Sequence, residues 1–487
     1  MSAASRSPIL HLTAELWPYA RTGGLGQAVA DIATEQAREG LDVSVMVPFY
    51  QAAREKAAEL GHRLKPVCQP FTVSFNGIAE EVRCWEVEHE QGCPRRLFLD
   101  HPGMFDRPGI YGGKTGDFPD NDRRFALFAL AAIEVALRVG GERTLIHAHD
   151  WHTALTPVYM RVRHWNRPEL KMMPVVVTVH NGGFHGLFGR ETLASIGLPD
   201  WLWAMEFMEW YGRLNYLKGG LLFADMVTTV SPTHAAELRT EVGGFGLHHV
   251  FQWLDDRLVG IRNGIDTKLW DPATDEELTA NYSIDDMSGK ARCKAALQRA
   301  WGMPERKRTA VFGMSARLVT QKGLDIIVGS RSLKEGNTQF IFLGEGEQRF
   351  EDILRVAAGE QPGRVGLNTS FTDRLEHRLL AGADFLLMPS LYEPCGLTQM
   401  RAQRYGALPI GRTVGGLADT IEDGVTGFLF DGYTPDEFDR AVKRALGVYD
   451  DPVLFAQHQR AAMQRDFSWK EPIAQYAAVY KRARARR

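Results

Sequence analysis

The sequence has 487 residues, a length that predicts two to four domains. Its 57 lysines and arginines nearly balance its 60 aspartates and glutamates, and the net charge of −3 argues against nucleic acid as the main partner. With 44% hydrophobic and 24% charged residues, the chain is neither disordered nor fibrous. No apolar run reaches the ~18 residues of a membrane span. We find no secretory signal pattern, and five scattered cysteines indicate free thiols, so we expect a cytoplasmic protein.

Short β-branched runs alternate with helical patterns along most of the chain. Several of these runs are apolar without alternation, which is typical of parallel strands buried on both faces. Helical patterns such as Gly26–Glu39 and Phe125–Arg138 lie between them. The pattern predicts βαβ units. The predicted strands are Pro8–Thr13, Asp42–Val47, Thr144–Ala148, Pro174–Val179, Met226–Val230, Thr309–Met314, Gln339–Leu343, Phe385–Met388 and Leu408–Ile410.

The alternation of strands and helices occurs twice. The first series ends near Met226–Val230, and the second is expected to begin at Val259–Arg262 and to continue to about Phe430. Beyond Pro435 the pattern is helical only. The predicted fold class is therefore α/β, with two Rossmann-like doubly wound domains facing an interdomain cleft and a helical C-terminal segment.

Two glycine-rich loops follow predicted strands and precede helices, Arg21–Gly26 and Thr413–Asp419. Consecutive glycines let backbone N–H groups approach an anion, and the helix N-terminus adds partial positive charge. A nicotinamide cofactor is disfavoured because the second strand ends in Met46–Tyr50 without the acidic residue of a dinucleotide site. A tight turn without a ligand remains the alternative for the first loop.

Polar side chains also follow two strands of the first half. His147, His149, Asp150 and His152 suggest a metal site, but their spacing differs from that of binuclear zinc hydrolases and alternate strand side chains point opposite ways. Recognition of hydroxyl groups by Asp150 and a histidine is the favoured interpretation, and a hydrogen-bonded strand end is the alternative. His180, followed by glycines, either faces a ligand or is structural.

In the second half, Arg317 and Lys322 follow a strand and suit a diphosphate, which Arg binds bidentately and Lys attracts as a point charge. Glu393 follows the strand Phe385–Met388 and could accept hydrogen bonds from sugar hydroxyls. Solvated cations and a helix-capping glutamate are the alternatives. We find no Asp-x-Asp at a strand end to hold Mg²⁺, so preorganised cations would provide the positive charge instead.

Together these motifs resemble those of bacterial glycogen synthases and plant starch synthases, in the same order and over nearly the whole chain. The resemblance is carried by Arg21–Gly26, Phe105–Gly112, Phe118–Phe128, His147–His152, His180–Gly186, Ala224–Pro232, Asn263–Asp266, Arg317–Asp325, Pro389–Gln399 and Gly415–Thr420. It implies the GT-B arrangement, with domains at residues 1–255 and 256–465 and a C-terminal helix, 466–487, that returns to the first domain. It also implies retaining transfer of glucose from ADP-glucose to the non-reducing end of an α-1,4-glucan, without a metal or other cofactor.

The resemblance assigns roles to individual residues. Arg317 and Lys322 would bind the diphosphate, Glu393 would hold or orient the transferred glucose, and His180 would contact that glucose near its reacting carbon. These four are the predicted catalytic residues. The predicted substrate-binding residues are Arg21, Gly23, Gly24, Tyr111, Asn121, Asp150, Asn263, Cys395, Gly396, Leu397, Thr398, Gly415, Gly416 and Leu417.

Three positions depart from the family pattern. Arg21 stands where Lys is usual, Gly26-Gln27 replaces Ala-Asp or Gly-Asp, and Gly182–Gly186 replaces Leu-Ala-Tyr-Gln-Gly. These changes keep two alternatives open: a transferase that uses another donor, such as UDP-glucose, and one that uses another acceptor. A non-catalytic glucan-binding paralogue and a metallohydrolase at His147–His152 are further alternatives. Oligomeric state and allosteric control are not predicted.

Overall fold

The structure is a computed structural model and describes residues 7–75, 77–88, 92–113 and 116–487. The chain divides into two compact units. Unit 1 comprises Met1–Gly264 together with Trp469–Arg487, and unit 2 comprises Ile265–Ser468. Among the described residues, no helix has both the length and the apolar character needed to span a membrane.

The strands are short, and eight parallel strands of the two main sheets are fully buried. Those of unit 1 are β1 Ile9–Leu12, β2 Val43–Pro48, β3 Leu64–Pro66, β4 Phe71–Phe75, β5 Ile78–Val87, β6 Arg95–Asp100, β7 Gly112–Gly113, β8 Gly116–Asp117, β9 Leu145–His149, β10 Val175–Val179, β11 Leu187–Phe188, β12 Glu209–Trp210, β13 Arg213–Asn215, β14 Met226–Thr229 and β15 Leu258–Gly260. Those of unit 2 are β16 Val311–Ser315, β17 Gln339–Leu343, β18 Val365–Asn368, β19 Phe385–Met388, β20 Leu408–Arg412 and β21 Phe428–Phe430.

Helices connect most of these strands. Unit 1 contains α1 Gly24–Arg38, α2 Gln51–Glu59, α3 Pro102–Phe105, α4 Asn121–Gly140, α5 Leu155–Val158, α6 Pro168–Lys171, α7 Thr192–Ser195, α8 Tyr216–Phe223, α9 Pro232–Glu237 and α10 His248–Leu254. Unit 2 contains α11 Ser288–Ala300, α12 Leu324–Gly329, α13 Arg331–Lys334, α14 Gln348–Glu360, α15 Asp373–Gly382, α16 Thr398–Arg404, α17 Gly415–Thr420, α18 Pro435–Tyr449 and α19 Pro452–Met463. The last helix, α20 Lys470–Ala485, belongs to unit 1.

The main sheet of unit 1 has the order β15-β14-β10-β9-β1-β2-β6-β5-β3, and β4 pairs with β5. The seven strands from β15 to β6 are parallel, and the remainder are antiparallel. The direction of chain progression reverses between β1 and β9, which is the topological switch point of this sheet. Ligands of open α/β sheets bind at the carboxyl ends of strands near that point.

Helix α20 packs into the core of unit 1. Its apolar side chains, including Ile473, Tyr476 and Tyr480, are buried in the same cluster as strand residues such as Ile9 and Val175. The C-terminal helix therefore returns to the first unit, as the resemblance implied.

The sheet of unit 2 is wholly parallel, in the order β18-β17-β16-β19-β20-β21. Numbered within the unit, this is the 3-2-1-4-5-6 order of Rossmann folds. Its strands are apolar runs such as Gln339–Leu343, buried on both faces beneath the helices. The switch point lies between β16 and β19, which places the loops after those two strands next to each other.

One strand differs from the sequence prediction. The second series was expected to begin at Val259–Arg262, but β15 pairs in parallel with β14, with Leu258 opposite Val227, and so completes the sheet of unit 1. The apolar pattern alone does not specify which neighbouring sheet a strand will join. The antiparallel extension from β3 to β5 was also missed, because its alternation of buried and exposed residues is weaker than the apolar runs of the parallel strands.

Candidate active site

Predicted catalytic residues of unit 2 meet at its switch point. Lys322 ends a short turn after β16, and Glu393 follows β19, so their side chains approach from the two strands that flank the reversal. The Lys322 ammonium donates a hydrogen bond of 2.5 Å to Glu393 Oε2. Glu393 is buried and Lys322 is partly exposed. Although 71 residues separate them in sequence, they form one ion pair.

The two oxygens of the Glu393 carboxylate differ in their hydrogen-bond partners. Oε2 accepts from Lys322 and from the Ser390 hydroxyl, at 3.1 Å, while Oε1 has no hydrogen-bond partner within the described residues. A carboxylate oxygen of a buried residue with a free lone pair favours an incoming hydroxyl donor, because an unsatisfied buried acceptor is costly. Ser390 was not predicted; its signal is the polar residue directly after the buried β19 and Pro389.

Arg317 differs from Lys322 in its surroundings. It is exposed, and its guanidinium has no hydrogen bond or ion pair with any described residue. Since Lys322 is matched by Glu393, Arg317 contributes the unmatched positive charge at this strand end. Exposure and the missing partner are compatible with a diphosphate ligand, and the role stays a prediction.

The second glycine-rich loop, Thr413–Asp419, packs closely against the loop that contains Glu393. A Cβ on Gly415, whose φ is +42°, would lie 2.0 Å from the Glu393 carbonyl oxygen, and one on Gly416 would lie 2.0 Å from the Cys395 carbonyl oxygen. The Gly416 N–H donates to the Glu393 carbonyl at 3.0 Å and the Leu417 N–H donates to Val414. These glycines therefore position Glu393, and the amides of Gly416 and Leu417 are used within the chain instead of pointing only at a ligand.

The predicted residues Cys395 to Thr398 form the turn between Glu393 and α16. Gly396 has a φ of +67°, which a side chain rarely adopts, and Thr398 is the first residue of α16. The turn is held by Gln399, whose side-chain amide donates to the carbonyls of Cys395 and Gly396. The N-terminus of α16 therefore follows Glu393 after four residues, and a helix N-terminus favours nearby negative charge.

The first glycine loop of unit 1 surrounds a glutamate that the sequence reasoning missed. Glu15 Oε2 accepts from the backbone N–H groups of Thr22 and Gly23, at 2.8 and 3.1 Å. Oε1 accepts from the hydroxyls of Thr22 and Tyr111, at 2.8 and 2.7 Å. The anion that these amides bind is thus a carboxylate of the chain itself. An acidic residue just after the first buried strand was the available signal.

Other parts of this loop have open space beside them. A Cβ on Gly23 or Gly24 would meet no described atom within 4 Å, whereas one on Gly26 would lie 3.2 Å from Arg21 and Glu15. Gly24 begins α1, and no described side chain caps that end. Packing therefore explains Gly26 but not Gly23 or Gly24, and the space in front of the helix N-terminus suits a ligand. Arg21 is exposed.

Asp150 lies directly after β9, beside the switch point of unit 1. Its φ of +57° is unusual for a residue with a side chain, and strain of this kind is concentrated at functional sites. Its Oδ1 accepts from the His180 backbone N–H at 2.7 Å. Burial raises the pKa of Asp150 to about 7, and backbone hydrogen bonds from His180 and Asn181 partly oppose that shift.

His180 follows β10 and is partly exposed. Its Nε2 lies 2.9 Å from His149 Nδ1, and Nδ1 has no hydrogen-bond partner among the described residues. Burial, with a smaller effect from His11, lowers the pKa of His180 to about 3, so the ring is neutral at physiological pH. A neutral imidazole beside Asp150 can bind a hydroxyl but does not act as a cation.

Three further residues that were predicted to bind substrate, Tyr111, Asn121 and Asn263, lie in unit 1. The Tyr111 hydroxyl donates to Glu15. Asn121 begins α4, donates to the Tyr111 carbonyl at 2.8 Å and accepts from Arg124 at 2.6 Å. Asn263 is buried near the end of unit 1. Tyr111 and Asn121 thus support the loop around Glu15, and direct contact with a substrate stays a prediction for all three.

The histidines do not assemble as the run His147–His152 suggested. The ring nitrogens of His147 and His149 lie with His11 of β1 within 4.8 Å of one another, while His152 stacks on Tyr111. All six ring nitrogens of His11, His147 and His149 already take part in hydrogen bonds. A metal ion would have to displace those bonds, so this donor set fits a hydrogen-bonded network better than a cation.

The chain resembles known proteins along almost its entire length. Residues 8–253 match the family model for the starch synthase catalytic domain, and residues 299–458 match that for glycosyl transferases group 1. A glycogen synthase of Anaeromyxobacter dehalogenans (strain 2CP-C) is 38% identical, covering 97% of this chain and 99% of that protein. The chain belongs to the glycogen and starch synthase family. A family member from Thermodesulfovibrio yellowstonii is 36% identical, with 96% of each chain covered.

Two solved structures agree with the fold. The catalytic domain of starch synthase IV from Arabidopsis thaliana, bound to ADP and acarbose, has a TM-score of 0.88 at 33% identity, covering 99% of this chain and 100% of that one. Sucrose-phosphate synthase from Thermosynechococcus elongatus, at 17% identity and a TM-score of 0.62, shows the fold alone. The predicted GT-B fold and the predicted glycogen or starch synthase function are confirmed, and the chain is a glucosyltransferase of this family.

Proposed function

We propose that this glucosyltransferase uses ADP-glucose as its donor and extends the non-reducing end of an α-1,4-glucan, with retention of configuration. The observation that carries the proposal is the Lys322–Glu393 ion pair at the switch point of unit 2, together with Arg317, which pairs with none of the described residues. The Arabidopsis relative, whose structure contains ADP and acarbose, supports an adenine nucleotide and a glucan as ligands.

The charges of this site suit cleavage of a glucose–diphosphate bond. Negative charge grows on the leaving phosphate, and preorganised cations stabilise it without reorganisation at the moment of reaction. Arg317 can bind two phosphate oxygens, and Lys322 retains donors beyond the one it gives to Glu393. We assign Glu393 Oε1 to a hydroxyl of the transferred glucose. No metal or other cofactor is required in this proposal.

Unit 1 contains polar groups of its own that suit sugar hydroxyls. His180 and Asp150 lie together at the carboxyl ends of β10 and β9. Gly23 and Gly24 leave open space before α1, into which part of a ligand can fit. A cytoplasmic location is part of the proposal; the five cysteines, all of them described, form no disulfide.

Two of the three departures from the family pattern have partners within unit 1. Gln27 donates to Asp31 of its own helix at 2.7 Å. Gly182 packs against Leu238, which a Cβ would approach to 2.7 Å, and His185 bonds to the Gly182 carbonyl. Because these residues have partners inside unit 1, we favour the ADP-glucose and α-1,4-glucan assignment over a transferase with another donor or acceptor.

The deciding experiment supplies ADP-[¹⁴C]glucose or UDP-[¹⁴C]glucose, each with glycogen, and follows label into polymer. We expect incorporation from ADP-glucose to dominate, and loss of label after digestion by an exo-acting amylase that works from non-reducing ends. Dominant incorporation from UDP-glucose would reject the donor assignment. Glycogen binding without transfer from either donor would favour a non-catalytic glucan-binding protein.

A further inference from the structure

A row of buried polar side chains runs through the interior of unit 1. It begins at His180, whose Nε2 lies 2.9 Å from His149 Nδ1, and continues from His149 Nε2 to His11 Nδ1 at 3.0 Å. His11 Nε2 then lies 2.8 Å from Oε1 of Gln36 in α1. His11, His149 and Gln36 are buried, so these hydrogen bonds are shielded from bulk solvent.

The row continues on the other side of Gln36 and reaches the C-terminal helix. Gln36 Nε2 donates to the hydroxyl of Tyr480 in α20 at 2.8 Å, and that hydroxyl lies 2.9 Å from His147 Nδ1. His147 Nε2 contacts Thr178 Oγ1 at 2.5 Å, and Thr178 contacts Thr228 at 2.6 Å. We call the eight residues His180, His149, His11, Gln36, Tyr480, His147, Thr178 and Thr228 the buried hydrogen-bond chain.

The buried hydrogen-bond chain has two arms that meet at Gln36, and the first arm runs from His180 through His149 and His11. The orientation of the Gln36 amide determines where the protons of this first arm lie. An amide oxygen only accepts, so His11 Nε2 must carry the proton that it donates to Gln36. A neutral imidazole has one N–H, so His11 Nδ1 accepts from His149 Nε2. By the same argument His149 Nδ1 accepts, and His180 Nε2 donates to it.

These rings are neutral at physiological pH because they are buried. Burial lowers the pKa of His11 to about 4 and that of His180 to about 3. It lowers the pKa of His149 well below its ordinary value, and neighbouring histidines lower it further. A second proton on His11 or His149 would also place two N–H groups against each other.

In the second arm, which runs from Gln36 through Tyr480 and His147 to Thr178, the hydrogen bonds can all be donated away from Gln36. Gln36 Nε2 donates to Tyr480, the Tyr480 hydroxyl can donate to His147 Nδ1, and His147 Nε2 can then donate to Thr178. No donor faces another donor along these eight described residues. Gln36, which has an acceptor on one side and a donor on the other, thus specifies both arms at once.

We propose that the buried hydrogen-bond chain holds His180 in the tautomer protonated at Nε2, so that its Nδ1 is a hydrogen-bond acceptor for a hydroxyl of the donor sugar. Gln36, His149 and Tyr480 are then positioning residues that act through His180. The role toward the sugar rests on the proposed function. The tautomer itself does not, because it follows from hydrogen bonds within unit 1.

The proposal gives α20 a function in the active site beyond packing. Tyr480 is separated from His147 by 333 residues in sequence, yet its hydroxyl connects the helix to the chain that ends at His180. Without this hydroxyl, the Gln36 amide nitrogen loses its acceptor and the amide can turn over. That rotation would present N–H groups to His11 and reverse the first arm.

The tautomer is measured directly by long-range ¹H–¹⁵N correlation on the full chain labelled with [¹⁵N]histidine, at neutral pH. His180 is assigned as the signal absent from a His180→Gln variant. We expect Nε2 of His180 to be protonated in the unmodified protein, and a mixture or the Nδ1–H form in Gln36→Met. An Nδ1–H tautomer in the unmodified protein would overturn the proposal, as would ring shifts of His11 and His149 that show zinc coordination on adding zinc.

Kinetics test whether the tautomer matters for the sugar. His149→Phe removes the acceptor for His180, while His149→Asn can keep one at the place of Nδ1. We expect His149→Phe to lose about tenfold in kcat/KM for ADP-glucose, the equivalent of one hydrogen bond, and His149→Asn to stay within about threefold. The KM for glycogen should change little in both. Equal losses in the two variants would refute the positioning role.

Tyr480→Phe has a matched control in Tyr159→Phe. Both tyrosines are buried in unit 1, and the Tyr159 hydroxyl donates to the Ile196 carbonyl, away from the buried hydrogen-bond chain. We expect similar losses of stability, with reduced donor kcat/KM and a changed His180 tautomer only in Tyr480→Phe. Equal kinetic effects of the two variants would show a merely structural role. If ADP-glucose is not a substrate, the proposed function fails and the tautomer measurement alone decides the proposal.

Discussion

Arg317 and Lys322 are both cations, but their surroundings predict different consequences of removal. We expect Arg317→Ala and Lys322→Ala each to lower kcat by about 10²–10³, the usual loss for one preorganised group at developing charge. Arg317 is exposed and pairs with no described residue, so its removal should change the free energy of unfolding by no more than about 0.5 kcal/mol. Lys322→Ala leaves the buried Glu393 without its cation and should also cost about 1–3 kcal/mol.

Arg299→Ala is the control for both variants, since Arg299 is an exposed arginine of unit 2 that pairs with Glu305. It should change neither kcat nor stability appreciably. Steady-state kinetics and urea unfolding give the two quantities. Unchanged turnover in Arg317→Ala would remove the diphosphate assignment.

Asp150 should make the protein less stable as the pH rises. Its pKa is about 7 in the folded protein, against an ordinary value of 3.8, so the folded form binds the extra proton between those values. Stability from this group is present at low pH and is lost as the pH rises through about 7. Asp150→Asn removes that dependence, and its stability relative to the unmodified protein should rise by up to about 4 kcal/mol from pH ~4 to ~8. A pH-independent difference in urea unfolding would contradict this.

At the scale of elements, the loops after β16, β19 and β20 form one packed unit around Glu393. Gly323, with a φ of +77°, has no room for a Cβ because the Pro389 carbonyl oxygen would lie 2.1 Å away. Gly415 makes the equivalent approach to the Glu393 carbonyl. Both glycines are needed for close contact of backbones, so the position of Glu393 depends on its neighbours in the sheet and not on its own strand alone.

Gly415→Ala tests this packing. The new Cβ meets a backbone oxygen and requires an unfavourable φ, so we expect a loss of more than about 2 kcal/mol of stability and a large fall in kcat. Gly447→Ala is the matched control, because Gly447 lies in α18 and a Cβ added there would meet no described atom within 4 Å. Alanine there should leave kcat unchanged and stabilise by up to about 1 kcal/mol. Wild-type activity in Gly415→Ala would show that the loop is not held this way.

At the scale of the whole molecule, the two units should respond differently to acid. Unit 1 contains four neighbouring histidines with lowered pKa values: His11 at about 4, His180 at about 3, and His147 and His149 well below the ordinary value. The unfolded chain protonates these groups near pH 6.5, so they favour folding above that pH and favour unfolding as the pH falls below it. Asp150 has the opposite effect, because between its ordinary pKa of 3.8 and about 7 the folded form binds a proton that the unfolded chain does not.

His152, His164 and His185 of unit 1 also have lowered pKa values. We therefore expect unit 1 to lose stability as the pH falls below about 6.5, by about 1.4 kcal/mol per pH unit for each net proton that only the unfolded chain binds. Hydrogen exchange followed by mass spectrometry, corrected for the intrinsic pH dependence, measures each sheet separately. Protection of β9 and β10 should fall before that of β16 and β19. Simultaneous loss in both units would contradict the prediction.

Much of the fold follows from local patterns that the sequence displays. Apolar runs such as Gln339–Leu343 and Phe385–Met388 become strands with the predicted bounds, because burial on both faces of a parallel sheet requires continuous apolar residues. The polar residues after these runs lie at carboxyl ends of strands for the same reason. The positions of Arg317, Glu393, Asp150 and His180 at such ends are therefore predictable from sequence.

The partners of those residues were decided only by the tertiary structure. Glu15 and Gln36 carry no motif, and their roles depend on hydrogen bonds to Thr22 and Tyr480. The strand β15 likewise joined the first sheet because β14 offered it a free edge. Strand pairing and side-chain contacts bring together groups 71 to 444 residues apart, and local pattern contains no information about such distances. Local chemistry determined which residues face the strand ends, and packing determined which of them touch.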